Sequence, residues 1–371
     1  MNVELTASLS PAVFVPAPSA FDLDVAFGIT VAIKVAFILA LFLVVPLVVG
    51  YMEHKAMGRL QHRRGPVAAG PFGTLQLVAD GIKFIQKEDV IPAAADRKVF
   101  ALAPGLALVP AILVFLVLPF GPGVWAVDLE LGLFYALAIS SVSVLGVMMG
   151  GWASANKFSL IGGLRAGAQL IAYELPLILA AIAVAVQAGT LSLVGIVEAQ
   201  ATFTLPGTDL NLWFVFPQIL GFVIFFLASL AELSRPPFDM PIADSELVFG
   251  YMTEYTGIKF AMYLLTEYAG MVSMSALMVV LYLGGWQLLP GVGLPGCEGA
   301  GGVFDCGWLG AIGGVVITLA KILILTFIMV WARVAYPRLR EDQLQRLSWL
   351  VLVPLSLINL AVIAIAKVVV F

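Results

Sequence analysis

Long apolar runs are the feature of this sequence that most constrains its fold. A helix needs about 20 consecutive apolar residues to cross a bilayer, whose interior offers no partners for unpaired backbone polar groups. Such runs lie near residues 25–50, 100–120, 131–151, 166–188, 212–231, 258–284, 309–332 and 349–370. Hydrophobic residues make up 61% of the chain and charged residues only 11%, which excludes an ordinary soluble domain. The sequence predicts an all-α, polytopic integral membrane protein of about eight transmembrane helices, folded as a single domain over residues 1–371.

The basic residues predict how these helices are oriented. Lys and Arg are concentrated in the loop after the first span and in alternate loops after it, whereas residues 1–24, 121–130, 189–211 and 285–308 contain none. Loops rich in Lys and Arg stay in the cytoplasm. We therefore expect a protein of the inner (cytoplasmic) membrane with both termini on the exported side. Residues 1–24 lack the basic start of a secretory signal and are predicted to form an exported tail.

The predicted cytoplasmic loop 51–99 contains an amphipathic segment. Gly65-Pro66 and Gly70-Pro71 interrupt any continuous helix. Beyond them, apolar residues recur at helical spacing while polar residues occupy the other faces. The apolar positions are Phe72, Leu75, Val78, Ala79, Ile82 and Ile85. This pattern predicts a helix that lies along the membrane surface or docks on a partner protein.

Acidic residues cluster in the predicted cytoplasmic loop 232–257 and in the helices around it. The cluster contains Glu174, Glu232, Asp239, Asp244, Glu246, Glu254 and Glu267. Glu174 and Glu267 lie several residues inside predicted spans, where an ionisable group is costly unless it faces protein, a partner charge or water. Burial and neighbouring like charges favour the protonated form of a carboxyl group. The cluster therefore predicts a hydrated interior that exchanges protons; the alternative is a set of hydrogen-bonded contacts between helices.

The acidic loop is also predicted to have irregular backbone, because Pro236, Pro237 and Pro241 remove backbone donors. Helix is expected to resume near Asp244. It would place Glu246, Gly250 and Glu254 along one side of that helix.

Four basic residues within or beside the spans have candidate partners. Arg235 could hold carboxylates apart, orient a polar ligand or form an internal ion pair. Arg333 could reach inward to the acids or anchor its helix at the cytoplasmic surface. Lys34 is expected to extend to the outer surface, and Lys321, which is deeper, to pair with an acid.

Cysteine and histidine residues are too few to suggest a bound metal. Cys297 and Cys306 share the predicted exported loop 285–308, where they could form a disulfide or remain free thiols. His54 and His62 are the only histidines. We expect no metal, iron-sulfur cluster or flavin bound by this chain, and no nucleic-acid partner.

Three blocks of the sequence resemble one known family. The first is Glu53-His54-Lys55-Ala56-Met57-Gly58-Arg59-Leu60-Gln61 with Arg64-Gly65-Pro66, Gly70-Pro71-Phe72-Gly73, Gln76, Asp80, Lys83 and Lys87-Glu88. The second is Ala231-Glu232-Leu233-Ser234-Arg235-Pro236-Pro237-Phe238-Asp239 with Ser245-Glu246-Leu247 and Glu254-Tyr255. The third is Trp331-Ala332-Arg333-Val334-Ala335-Tyr336-Pro337-Arg338 with Asp342-Gln343-Leu344. Together they resemble the H subunits of proton-pumping NADH:quinone oxidoreductase (respiratory complex I), called subunit 1 in mitochondria.

This resemblance implies a membrane subunit that forms a quinone tunnel with the peripheral arm. Its quinone substrate would receive electrons from an iron-sulfur subunit, and its acids would pass protons toward antiporter-like subunits, with small membrane subunits as further partners. The implied tunnel residues are Glu53, His54, Asp80, Arg235, Phe238 and Arg333. The implied proton path is Glu174, Glu232, Asp239, Asp244, Glu246, Glu254 and Glu267.

The sequence departs from the family pattern at three positions. His54 stands where the family usually has Arg. Ile242 stands where Glu is common, and Leu350 stands where Lys is frequent. The change at Ile242 leaves the loop with one acid fewer, which puts the usual order of protonatable sites in doubt.

The sequence leaves other functions open. The same family pattern would fit a ferredoxin- or hydrogenase-linked complex, and the acidic cluster would fit a self-contained ion-coupled transporter. The apolar tunnel expected here does not distinguish ubiquinone from menaquinone.

Overall fold

The computed structural model is a bundle of helices. It describes residues 25–204, 211–290, 297–298, 305–306 and 308–369, and for residues 25–30, 244–245, 297–298, 305–306 and 308–309 it describes the backbone alone. The helices are α1 (Val25–Leu60), α2 (Gln76–Gln86), α3 (Arg97–Val114), α4 (Gly132–Ala153), α5 (Lys157–Ala188), α6 (Leu193–Thr202), α7 (Ile219–Glu232), α8 (Asp244–Leu247), α9 (Gly257–Tyr282), α10 (Trp308–Ala335), α11 (Glu341–Arg346) and α12 (Val353–Val369). Short 3-10 turns cover Pro71–Gly73 and Gly250–Met252, and a π-helical turn over Leu347–Leu352 joins α11 to α12.

Seven helical stretches of the described residues are long and apolar enough to cross a bilayer. They are α1, α3, α4, α5, α9, α10 and the continuous stretch from α11 through α12. The remaining predicted span, 212–231, is only partly helical, because α7 has 14 residues and is about 21 Å long. Residues 214–218 before it form turns, and Pro217 lacks the backbone donor that a helix there would use. The chain is a multi-pass membrane protein.

We call the end of the bundle that carries the Lys- and Arg-rich loops the basic end, and the opposite end the far end. Helices α4, α7 and α10 finish at the basic end, and α5 and α9 start there. Helices α5 and α9 are the most buried of the long helices. Tyr173 on α5 and Tyr263 and Tyr282 on α9 are among the largest fully buried side chains. The core is therefore built around these two helices.

Helix α2 confirms the predicted amphipathic helix in the first loop, although it starts at Gln76 rather than Phe72. Its apolar side is exposed in this chain, with Val78, Ile82 and Ile85 each about half exposed or more. Nothing else in the described residues covers that side. The exposure fits the expectation of a surface helix.

Helix resumes at Asp244 as predicted, but the prediction that it continues through Gly250 to Glu254 is wrong. Helix α8 ends at Leu247, Val248 has a positive φ of 64°, and Gly250 starts a separate 3-10 turn. A Cβ on Gly250 would lie 1.8 Å from the carbonyl oxygen of Pro241, so the chain folds back tightly on itself here. Glu246 and Glu254 consequently do not share one helical side.

The buried lysines bind backbone carbonyls. Lys321 Nζ donates to the carbonyl oxygens of Leu283, Gly285 and Gln287 at 2.6, 3.0 and 2.6 Å, so the expectation that it pairs with an acid is wrong. These carbonyls follow the end of α9, where the helix dipole favours a cation. Lys34 Nζ donates to Ala126 O at 3.1 Å, at the far end.

A two-stranded antiparallel ladder lies in the loop before α10. Strands β1 (Cys297–Glu298) and β2 (Asp305–Cys306) place Cys297 directly opposite Cys306. Directly opposed residues have Cα atoms about 4.5–5.5 Å apart, within the range of a disulfide. The disulfide stays a prediction, because both side chains lie outside the described part of the structure.

Candidate functional site: a buried ion cluster and an acid-lined cavity

The most buried charges of the described residues meet near the basic end of α1. Glu53 is 1% exposed, and its Oε1 accepts from Arg235 Nη1 at 2.7 Å and from Arg333 Nη1. Three elements supply these groups: α1, the acidic loop and the end of α10. Burying a carboxylate is tolerated here because two guanidinium groups share it. Glu53 Oε2 has no hydrogen-bond partner among the described residues.

Arg235 extends this cluster toward α9. Its Nε lies 2.8 Å from Glu267 Oε1, and its guanidinium lies 5.0 Å from the centre of the Tyr268 ring. Burial disfavours the charge on Arg235, but the carboxylates of Glu267 and Glu53 hold its pKa above the usual value. Arg235 is therefore a fixed cation between two carboxylates, which is the ion-pair alternative for this residue. Its place in a quinone tunnel stays a prediction.

A cavity of about 100 Å³ is lined by Glu267 and also by Glu232. Its polar lining groups are Ser140, Ser143, Ser234, Tyr251, Tyr263, Thr266 and Ser273. Apolar side chains supply most of the cavity wall, but the carboxyl and hydroxyl groups offer partners for water. The volume has room for several water molecules, since one occupies roughly 10–15 Å³ of such space. The two carboxyl groups thus face a space that water can fill.

Glu232 and Glu174 form the inner part of the site. Glu232 Oε2 is buried and has no hydrogen-bond partner among the described residues, which leaves it free to bond to water in the cavity. Glu174 on α5 lies close enough to Glu232 to act on it electrostatically. Ser141 Oγ on α4 donates to Glu174 Oε1. The described acids therefore follow each other from Glu53 through Glu267 and Glu232 to Glu174.

Hydrogen bonds from α5 hold the acidic loop in place beside the cavity. Gln169 Nε2 donates to the carbonyl oxygens of Ala231 and Phe238 at 2.6 and 2.7 Å. The Phe238 ring packs on Tyr173 with ring centres 5.5 Å apart, and Phe238 is only 2% exposed. Phe238 is thus a packing residue within this chain.

Other predicted site residues lie away from the cavity. The Glu246 side chain is 52% exposed and pairs with Arg165 at 2.7 Å and Arg338 at 3.4 Å. The hydrogen bond from Arg165 is the main reason that its pKa lies below the usual value. Glu254 accepts from Asn156 Nδ2 at 2.6 Å. The structure does not bring these two acids to the buried cluster.

The remaining predicted residues are spread around the loops. Asp80 on α2 contacts Gln76 and Lys83. Asp239 lies near Tyr251; burial and the charges of Glu267 and Asp239 together raise the pKa of the Tyr251 hydroxyl. His54 is half-buried next to Glu53. The Asp244 side chain lies outside the described part of the structure.

Sequence reasoning missed most of the uncharged groups of the site. Tyr263, Thr266, Gly270 and Ser273 all line the cavity from α9, on the face that also carries the predicted Glu267. They are spaced three and four residues apart, which places small and polar side chains on one face of an otherwise apolar helix. This spacing is the sequence signal that could have predicted them. Ile242 also lines the cavity, so the family departure at this position changes the cavity wall itself. Among the described side chains, no group of three His, Cys, Asp or Glu residues is placed to hold a metal ion.

Comparison with known proteins shows the family of this chain. The sequence model of the NADH dehydrogenase family matches residues 33–364. The chain belongs to the NADH dehydrogenase family. Proteins named as the H subunit of NADH-quinone oxidoreductase in Geobacillus kaustophilus, Geobacillus thermodenitrificans and Bacillus thuringiensis are each 43% identical to it over 316 residues. Each alignment covers 85% of this chain and 87% of the relative. The ion cluster and the cavity both lie within the part that the NADH dehydrogenase family model matches.

Proposed function

We propose that this chain is the H subunit of a proton-translocating NADH:quinone oxidoreductase. In this role it forms the quinone-binding tunnel with peripheral-arm subunits and couples quinone reduction to proton movement. The family match and the names of the relatives support the proposal. The chain is an enzyme subunit that depends on partners for its redox centres.

The observation that carries the coupling role is the cavity shared by Glu232 and Glu267. Water in this space can connect two carboxyl groups that no direct bond joins. Glu267 in turn contacts Arg235, which contacts Glu53. A change of charge near Glu53 therefore alters the electrostatic potential at Glu267, because the Arg235 cation contacts both carboxylates.

The quinone end of the proposed route is the cluster of Glu53 with Arg235 and Arg333. Reduction of a quinone to a quinol takes up two electrons and two protons. We infer that the electrons come from an iron-sulfur subunit and that the negative charge developing on the quinone acts on the Glu53 cluster. The Arg333 side chain is 37% exposed, so this cluster is reachable from outside the chain. His54 and Asp80 would lie nearer the surface.

The assembly follows from the same assignment. We infer a single domain in the cytoplasmic membrane, with the basic end in the cytoplasm and both termini on the exported side. Peripheral-arm subunits would cover the basic end, and small membrane subunits and antiporter-like subunits would receive the protons from Glu174. Family membership argues against a self-contained transporter.

Replacing Glu232 tests the coupling role. In the assembled complex in proteoliposomes, Glu232→Gln should lower quinone-driven proton pumping at least about tenfold, because a positioned proton-transfer group contributes about 10²–10⁴ in rate. The amide keeps the size of the side chain but cannot ionise. Subunit composition of the purified complex shows whether assembly persists.

The matched control is Glu130→Gln, the same change at an exposed position at the far end. It should leave pumping unchanged. Pumping at the wild-type rate in a fully assembled Glu232→Gln complex would contradict the coupling role. Failure of the purified chain to associate with iron-sulfur subunits would contradict the subunit assignment.

A further inference from the structure

Two cysteines lie opposite each other in the short ladder between α9 and α10. Strands β1 and β2 pair with Cys297 directly opposite Cys306 and Glu298 directly opposite Asp305. The chain has only these two cysteines. Directly opposed residues of an antiparallel ladder have Cα atoms about 4.5–5.5 Å apart, and disulfides form at Cα separations of about 4.4–6.8 Å. The backbone register therefore suits a disulfide without movement of the strands.

The rest of the ladder provides little stability of its own. Each strand has two residues, and an isolated two-stranded hairpin is marginally stable in water. The second pair sets Glu298 opposite Asp305, and like charges directly opposite each other are destabilising. The six residues between the strands include three glycines, which lose the most backbone freedom when they are ordered. A covalent bond between the strands offsets these costs, because it restricts the unfolded chain.

A bound metal ion suits this pair of cysteines less well. Structural zinc sites use four ligands from Cys and His, and both histidines, His54 and His62, belong to the basic end. Glu298 and Asp305 occupy the next register position, which belongs to the opposite face of the ladder because successive residues of a strand alternate. One face of the ladder therefore offers a metal two ligands instead of four.

The place of the ladder in the chain favours oxidation of the cysteines. The ladder lies between the end of α9 and the start of α10, at the far end. Residues 285–308 contain no Lys or Arg, which is typical of an exported loop. Disulfides form and persist on the exported side of a cytoplasmic membrane. The oxidation depends on the orientation proposed above and is independent of the coupling role.

We propose that Cys297 and Cys306 form an intramolecular disulfide that closes the loop before α10. The oxidant is the disulfide of an exported thiol oxidoreductase. One cysteine thiolate attacks that disulfide to give a mixed disulfide, and the second thiolate then displaces the oxidoreductase. The S–S bond forms within this chain, and the oxidoreductase leaves as a dithiol that carries the two electrons and two protons. The bond fixes the ladder two residues before α10 starts at Trp308.

The test is thiol labelling of the assembled complex, purified without reductant and denatured in N-ethylmaleimide. Mass spectrometry of the digested chain should find Cys297 and Cys306 in linked peptides with no maleimide adduct. Reduction before labelling should release the link and place a maleimide on each cysteine.

Cys306→Ser is the matched control. Its Cys297 has no partner cysteine in the chain and should accept maleimide without reduction. In spheroplasts a membrane-impermeant maleimide should label it as well, because the far end is exported. Quinone-driven proton pumping of the wild-type complex is measured separately, so failure of the disulfide and failure of the coupling role give different results.

Three results would overturn the proposal. The first is maleimide on both cysteines of the unreduced wild type, as free thiols or metal-bound thiolates would give. The second is a disulfide from either cysteine to another chain. The third is labelling of Cys306→Ser by a permeant maleimide alone, which would place the far end in the cytoplasm. If Cys306→Ser does not assemble, labelling of the wild type decides the question alone.

Discussion

At the scale of single residues, the partner of a buried charge decides what the charge can do. Arg235 lies between two carboxylates and stays cationic. Glu232 faces a cavity with one oxygen unpaired and is suited to bind and release a proton. Sequence patterns located both residues but could not show this difference, because the contacts come from helices far apart in the chain.

Glu198 on α6 gives a pH-dependent prediction at the far end. Burial, with a smaller contribution from Asp128, raises its pKa from 4.5 to about 7. The folded state therefore binds the proton more tightly than the unfolded state, so stability falls as pH rises from 4.5 to about 7. Glu198→Gln should stabilise the protein above pH 7 by about 1 kcal/mol after allowance for solvent screening.

Thermal unfolding of the purified protein at several pH values measures this effect. Below pH 4.5 the variant and the wild type should unfold at the same temperature. Glu130→Gln is the control at an exposed position and should follow the wild type throughout. A Glu198→Gln variant with the wild-type pH profile would show that the carboxyl titrates normally.

Lys321 gives a prediction about stability. Its ammonium group bonds to three carbonyls after α9 and lies 4.3 Å from the centre of the Trp213 ring. Lys321→Met keeps the chain length but leaves these carbonyls buried without a donor, which should cost about 3 kcal/mol. Lys157→Met, at an exposed position on α5, should cost little. Equal unfolding temperatures for the two variants would contradict the assigned role of Lys321.

At the scale of elements, prolines in the long helices leave carbonyls that other elements must satisfy. Pro176 in α5 cannot donate to the carbonyl of Ala172, and Ser348 Oγ donates to it instead at 2.5 Å. Pro104 in α3 likewise cannot donate to the carbonyl of Phe100. That carbonyl accepts a hydrogen bond from the Tyr255 hydroxyl at 3.2 Å instead. Ser348 lies in the π-helical turn before α12, and Tyr255 lies in the loop before α9. The prolines are visible in the sequence, but their new partners are not.

Ser348→Ala tests this account of α5. The change leaves the buried carbonyl of Ala172 without a partner and should lower stability by about 1–3 kcal/mol. Ser356→Ala is the matched control, since that buried hydroxyl donates to Val353 O within its own helix. Thermal unfolding should therefore show a clearly larger loss for Ser348→Ala. A similar loss for both would mean that the carbonyl freed by Pro176 is satisfied in another way.

At the scale of the whole molecule, the apolar runs predicted the membrane class and seven of the spans, because length and hydrophobicity decide both. They overestimated the helix at 212–231, since a run containing Pro217 is apolar without being fully helical. The sequence motifs indicated the family and the acidic residues that are candidates for the site. They could not separate Glu246, which pairs at the surface, from Glu267, which reaches the cavity. That distinction depends on contacts between segments far apart in the chain, such as that of Glu246 with Arg165.

In the coupling role proposed for this chain, Glu232 and Glu267 exchange protons through one hydrated cavity when quinone is reduced. Infrared difference spectroscopy of the assembled complex, before and after quinol formation, measures this most directly, because a protonated carboxyl has its own C=O stretching band. We predict a carboxyl band that changes on reduction, is lost or shifted in both Glu232→Gln and Glu267→Gln, and is retained in Glu130→Gln. Difference spectra that are identical in the wild type and in both cavity variants would contradict this role.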